Sequence, residues 1–280
     1  MHCSTSMNRM SLSLAVMSAL LLGKGQITLA QGLPTTQPKM LIIDREEVKI
    51  GRNAAHARNE AGWPAAYEKA GSRHYEFAVT SMTGPNEAWY ISTWDSHAAL
   101  GSSMKRDEKD PVLSAELARL ALADSEYISD SRILEAMDRA DLSTGEFPDL
   151  SKMRFFEVTT FRIRAGHEKQ FEDAAKAYGA AAKRAAPKSS FRIYQVIAGM
   201  PGANYLIFSS VEEYAQFDQT LSDDQATWKA ATDTEMDLLT KCATEAIIDT
   251  EKNRFRLDPT QSYVPKSIRE KDPDFWSPKK

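Results

Sequence analysis

The chain has 280 residues, 35 Lys and Arg against 39 Asp and Glu, a formal net charge of -4 and 42% hydrophobic residues. This is ordinary globular composition, and at roughly 100 to 200 residues per domain it allows one large domain or two small ones. The mildly acidic balance lacks the clustered Lys and Arg that attract phosphate backbones or anionic lipid, so nucleic acid is excluded as a first partner.

The first thirty residues contain no acid, and a basic Arg9 precedes an apolar run from Leu12 to Leu22 broken only by Ser. That run is too short for a bilayer core, which needs about 20 residues, but it suits a signal-peptide hydrophobic region. Thr28-Leu29-Ala30 before Gln31 supplies a small-residue cleavage site. Residues 1–30 are read as a signal peptide and the mature chain as exported, periplasmic or extracellular, with no integral membrane segment after cleavage. Cys3 falls in the leader, which leaves Cys242 alone and no internal disulfide.

From Met40 the chain reads as two copies of one βαββαβ unit, over 40–142 and 153–254. In the first, a strand from Leu41 to Ile50 ends at Gly51, and a helical stretch with Ala54, Ala57, Ala61 and Ala65 is bent or split by Gly62 and Pro64. Strand-like runs His74–Ser81 and Ala88–Trp94 flank Thr83-Gly84-Pro85-Asn86, which is hairpin chemistry. A helical region from about His97 to Asp124 breaks at Asp110-Pro111, and a fourth strand runs from Tyr127 to Met137.

The second copy starts with a strand from Phe155 to Ile163. Its helix carries Phe171, Ala174, Ala175, Tyr178, Ala181, Ala182 and Ala185 on one stripe. A hairpin follows, Phe191–Ala198 and Tyr205–Ser210, joined through Gly199-Met200-Pro201-Gly202-Ala203-Asn204. A helical stretch from Val211 to about Lys241 and a strand from Ala243 to Thr250 complete it. The segment Gly84 to Thr93 matches Pro201 to Ser210, which argues for duplication. Each unit is a split βαβ arrangement, a four-stranded antiparallel sheet with helices on one face only. The bare faces must be buried, so the fold class expected is α+β, with tandem ferredoxin-like units packed sheet to sheet as a closed or nearly closed barrel within one chain. Residues 255–280, rich in Pro and charge yet holding Tyr263, Phe275 and Trp276, are expected to form an arm docked on this barrel or a neighbouring subunit.

On these units, the Gly-Pro hairpin and the Asp272 to Lys279 tail, the chain resembles the dimeric α+β barrel superfamily over roughly residues 40–254. That superfamily includes antibiotic-biosynthesis and haem-degrading monooxygenases, chlorite dismutases and NIPSNAP-like proteins. The chain looks closest to exported bacterial members with two fused units. The haem-degrading members use a His on the second helix after a Trp ending the third strand. Trp94 matches that Trp, but only His97 follows, at the helix start, and the second half has Ser210 in place of Trp. No cofactor is expected.

Strand alternation sends Arg45 and Glu47 to the face opposite Val48 and Ile50, into the barrel. Charges there are costly unless paired with each other or with a ligand, so they are read either as pocket residues or as an ion pair at the rim. Trp89, Trp94 and Tyr194 are candidates to line a pocket for a flat apolar molecule, or core aromatics. His74, sharing a face with Glu76, is a candidate general base or a hydrogen-bonded surface histidine. His56, His74, His97 and His167 show no paired spacing and no Cys-x-x-Cys exists, so no metal site is expected. Phosphate-loop, dinucleotide, nucleophile-elbow and zincin motifs are missing. The function expected is binding of a small apolar or aromatic molecule, or of a protein partner, by a monomer or homodimer. The alternative is a cofactor-independent monooxygenase-like enzyme acting on an aromatic substrate.

Overall fold

A computed structural model describes residues 33–277, so the signal peptide read from residues 1–30 lies outside them. In the first unit β1 (Met40–Val48) leads to α1 (Asn53–Glu60) and α2 (Gly62–Ala70), which separate at Ala61-Gly62 just ahead of Pro64. The hairpin is β2 (Glu76–Ser81) and β3 (Glu87–Trp94). Next come α3 (His97–Asp107) and α4 (Pro111–Asp124). Asp110 divides them by capping α4, its carboxylate accepting from the amides of Val112 and Leu113 at 2.9 and 3.0 Å, while Pro111 takes the first helical position, where no N–H is needed. β4 (Ile128–Asp138) closes the unit.

The second unit runs β5 (Phe155–Ile163), α5 (Glu168–Ala185), β6 (Arg192–Ala198), β7 (Ala203–Val211), α6 (Phe217–Ala230), α7 (Asp233–Lys241) and β8 (Ile247–Tyr263). The single helical stretch expected over 211–241 is two helices, because Thr232 and Glu235 cap each other reciprocally at the start of α7. Short helices α8 (Lys266–Arg269) and α9 (Pro273–Trp276) follow.

The eight strands form a closed antiparallel barrel in the order β1-β3-β2-β8-β5-β7-β6-β4. Each unit contributes one four-stranded sheet, and two seams join them, β4 with β6 and β2 with β8. The second seam corrects the sequence reading of the second unit's end at 254. β8 continues to Tyr263, and Phe255 to Asp258 pair with Ser81 to Ala78, so the first part of the expected arm is barrel wall. At Asp258-Pro259 the register shifts as a bulge, where a missing N–H costs no ladder bond.

The remainder of the arm docks on its own chain. Trp276 is buried with its ring 6.4 Å from Phe77, Arg154 donates to Asp272 at 2.5 Å with its guanidinium 3.7 Å above the Phe275 ring, and Arg269 pairs with Glu68 at 2.7 Å. One strand face fills the interior with Leu41, Ile43, Trp89, Leu134, Leu206, Phe255 and Leu257. Among the described residues no helix is long and apolar enough to cross a membrane.

The second hairpin turn is fixed by two glycines with positive φ, Gly199 at 91° and Gly202 at 79°. A Cβ on Gly199 would lie 2.0 Å from the carbonyl oxygen of Ile133 across the β4–β6 seam, whereas one on Gly202 meets nothing within 4 Å. Chemical denaturation should show Gly202→Ala costing about 1 kcal/mol for backbone strain alone and Gly199→Ala about 3 kcal/mol or more. Equal costs would show that the seam does not constrain this turn.

Candidate functional site

The two ends of the barrel differ. At the end formed by the close of β1 and the starts of β3 and β4, Arg45 is 2.8 and 2.9 Å from the two carboxylate oxygens of Glu87. The same carboxylate accepts from the Trp89 indole at 2.7 Å, and the guanidinium sits 4.4 Å over that ring. Arg45 therefore pairs with Glu87 on the neighbouring strand and not with Glu47, which is exposed at the rim beside Asp130 and Arg132. Trp89 is 2% exposed and packs on Phe255 at 4.9 Å. This end carries an ion pair locked onto a core aromatic, beside a polar cleft of about 150 Å³ lined by Arg45, Glu47, Glu87, Asp130 and Arg132.

At the other end, the starts of β1, β2, β5 and β6 surround an apolar pocket of about 80 Å³. Leu41, Phe77, Val79, Ile91, Phe156, Tyr194 and Phe208 form its walls, and Phe147, Pro148 and Leu150 of the connection between units cross its mouth. A single water needs only about 10–15 Å³ by a comparable measure, so packing has left real space here.

Arg192 also lines the pocket. It is 8% exposed and donates to the carbonyls of Thr144, Gly145 and Phe191 and to the Ser190 hydroxyl, while its buried Nε has no partner. Among the described residues no carboxylate lies within 4.0 Å of it, and burial pushes its pKa down. A buried cation without a counter-charge is expensive unless a ligand supplies one. Tyr194, whose burial pushes its phenol up, stands beside it. Sequence reasoning found Tyr194 but not Arg192, since an Arg on a strand carries no signal of being unpaired.

Trp94 and His74 lie on the helix side of the sheet, outside the barrel interior. Trp94 is spaced an odd number of residues from Trp89, so alternation points it outward, where its indole donates to Ser92 at 2.9 Å and its ring meets His74 edge-on at 5.5 Å. His74 stacks on Tyr67 at 5.3 Å with its Nε2 3.8 Å from Glu76, and burial pushes its pKa down. The structure thus brings Arg45, Glu47 and Trp89 together at one barrel end, places Tyr194 at the other, and removes Trp94 and His74 from the interior.

The same helix-side layer holds a group that sequence spacing did not show. Glu46 of β1, His56 and Glu60 of α1 and Asp124 at the end of α4 are all buried, with one ligating atom from each within 4.8 Å of the others. His56 Nε2 is 2.9 Å from Glu46 and 3.6 Å from Asp124. Glu60 accepts from Asn59 and from the Trp63 indole, both at 3.2 Å. Burial first, then neighbouring carboxylates, push Glu46 up to about 9 and Glu60 up to about 8, and the same causes push nearby Glu76 up to about 8.

The chain has the dimeric α+β barrel fold, with both halves of the barrel supplied by one polypeptide. No protein-family model matches it, and no curated protein matches it in sequence. Solved structures do. It is similar to an anthrone oxidase-like protein at a TM-score of 0.52 and 10% identity, covering 79% of this chain and 92% of that one. It is also similar to a proposed monooxygenase of Fusobacterium nucleatum at 0.51 and 11%, with the same coverage. At such identities the likeness is one of fold.

The acid cluster sets a pH dependence. A carboxyl whose folded pKa lies above its unfolded value binds more protons folded than unfolded, so stability falls as pH rises from the unfolded value towards the folded one. In EDTA, between pH 6.5 and 9, the melting temperature should decline, with each such group contributing at most about 1.4 kcal/mol per pH unit. Glu46→Gln should flatten the decline, and a flat wild-type profile would contradict this burial of acids.

Proposed function

We propose that this protein binds a small, flat, apolar or aromatic molecule bearing an anionic oxygen, in the pocket beside Tyr194 and Arg192, without acting on it chemically. The observation that carries this reading is the buried guanidinium: an apolar cavity edged by one cation with no carboxylate beside it suits an aromatic acid or phenolate, whose ring takes the apolar walls and whose charge balances the cation. The titratable groups lining the pocket are Arg192 and Tyr194. One is a cation and the other a phenol held above its ordinary range, so neither is poised to take a proton near neutral pH. Binding is therefore favoured over a monooxygenase-like reaction, for which the named neighbours supply fold likeness only.

Export from the cytoplasm is part of the proposal and rests on the apolar run from Leu12 to Leu22 and the small residues before Gln31. The docked arm buries Trp276 within its own chain, which supports a monomer.

Calorimetric titration with benzoate and with neutral benzyl alcohol tests the pocket. Benzoate should bind more tightly, and Arg192→Met should weaken it by about 10- to 100-fold, the worth of a charge-assisted hydrogen bond, while leaving benzyl alcohol little changed. Ile91→Trp, which fills the pocket and spares the Arg192 carbonyl contacts, should abolish both. Benzoate binding undiminished in Ile91→Trp would place any ligand site elsewhere.

A further inference from the structure

We infer that Glu46, His56, Glu60 and Asp124 form a binding site for one divalent first-row transition ion of the Mn, Fe or Zn kind, which ties β1 to α1 and α4. Three carboxylates meet one imidazole in a buried layer, and among the described residues no Lys or Arg lies within 4.0 Å of any of the three. Asp124 is 4% exposed and its Oδ1, the atom facing His56, has no hydrogen-bond partner. An orphaned buried carboxylate oxygen costs free energy that coordination would recover.

The distances suit an ion. Bonds of about 2.0–2.2 Å place the donors of one ion no more than about 4.4 Å apart, so a set within 4.8 Å needs only small rotations of side chains to close on it. One imidazole nitrogen with three carboxylate oxygens is a mixed donor set, softer than calcium or magnesium prefer and harder than thiolate sites, which suits these divalent ions.

The second unit shows that the fold does not demand acids here. Glu46 lies opposite Ala88 across β1 and β3, and its counterpart Phe161 lies opposite Tyr205 across β5 and β7. Phe161 packs on Phe171 of α5 at 5.4 Å, and Phe171 stacks on Tyr205 at 4.3 Å. The same place beneath the same kind of helix is an aromatic cluster in one unit and a polar donor set in the other. Hydrophobic replacement of buried polar groups is commonly neutral or stabilising, so three acids and an imidazole kept where the other unit has aromatics fit a role in holding a cation.

The test uses the untagged full chain dialysed against EDTA, then given ZnCl₂ or MnCl₂, with bound metal counted by mass spectrometry of the gel-filtered protein and melting followed in parallel. The expected result is about one equivalent of ion retained and a clear rise in melting temperature. Glu46→Gln and Asp124→Asn, which keep side-chain shape, should each weaken binding by at least about 100-fold and lose the metal-induced rise. Glu46→Gln should be at least as stable as the wild type without metal, so a folding defect is separable from a binding defect, and Asp124→Asn is read alone if the other variant does not fold. Retention of no ion, or equal retention by wild type and both variants, would overturn the site.

Discussion

The structure depends on burying the second face of each four-stranded sheet. Helices cover only one face, and closing the sheets on each other removes the other from water and leaves no strand at an edge. Closure needs two seams, and the second exists because β8 outruns its own unit and pairs with β2. The strand faces so enclosed carry Trp89, Phe255 and branched aliphatics, which fill one part of the interior. Towards the starts of β1 and β5 the filling stops short. There Trp276 and Leu150 pack against the interior from outside the barrel, and a pocket remains.

The two units are similar frames used differently. The helix-side layer of the second unit is apolar, with Ile163, Phe171, Ile193, Tyr205 and Leu239 in one cluster, and it supplies packing. The corresponding layer of the first unit is divided between small hydrophobic clusters and buried polar groups: Glu46, His56, Glu60, Ser92 and Asp124. Buried polar groups of this kind lower stability unless satisfied, and proteins keep them where they serve a purpose. The barrel interior shows the same asymmetry. Arg45, Glu87 and Trp89 interlock at one end in the first unit, where the second unit has Thr160, Asn204 and Leu206 at matching register.

Much of this was legible in the sequence because local signals agree with the fold. Hairpin turns carry Gly and Pro at the required places, Asp110-Pro111 both ends one helix and starts the next, and the apolar stripe of α5 has helical period. Alternation on β1 puts Arg45 on the strand face of Leu41 and Ile43, whereas Trp94 was grouped with Trp89 by type although their spacing puts them on opposite faces. The continuation of β8 beyond Thr250 was not legible, since the strand it pairs with there, β2, lies in the other unit and far away in sequence. The cluster of Glu46, His56, Glu60 and Asp124 could not be read as a motif, because only His56 and Glu60 share a helix and the fold alone brings the other two to them. Arg192 was missed for a related reason: what distinguishes it is the lack of a carboxylate neighbour, which only the fold decides.

The proposed ligand site is the pocket beside Tyr194. Methyl-resolved NMR of the full chain, titrated with benzoate, addresses it residue by residue. The account predicts shifts concentrated on the methyls of Leu41, Val79, Ile91 and Leu150, which line the pocket, with those of Ile163 and Leu239 in the second unit's helix-side layer unmoved. Saturable shifts on the outer layer with a silent pocket would contradict it.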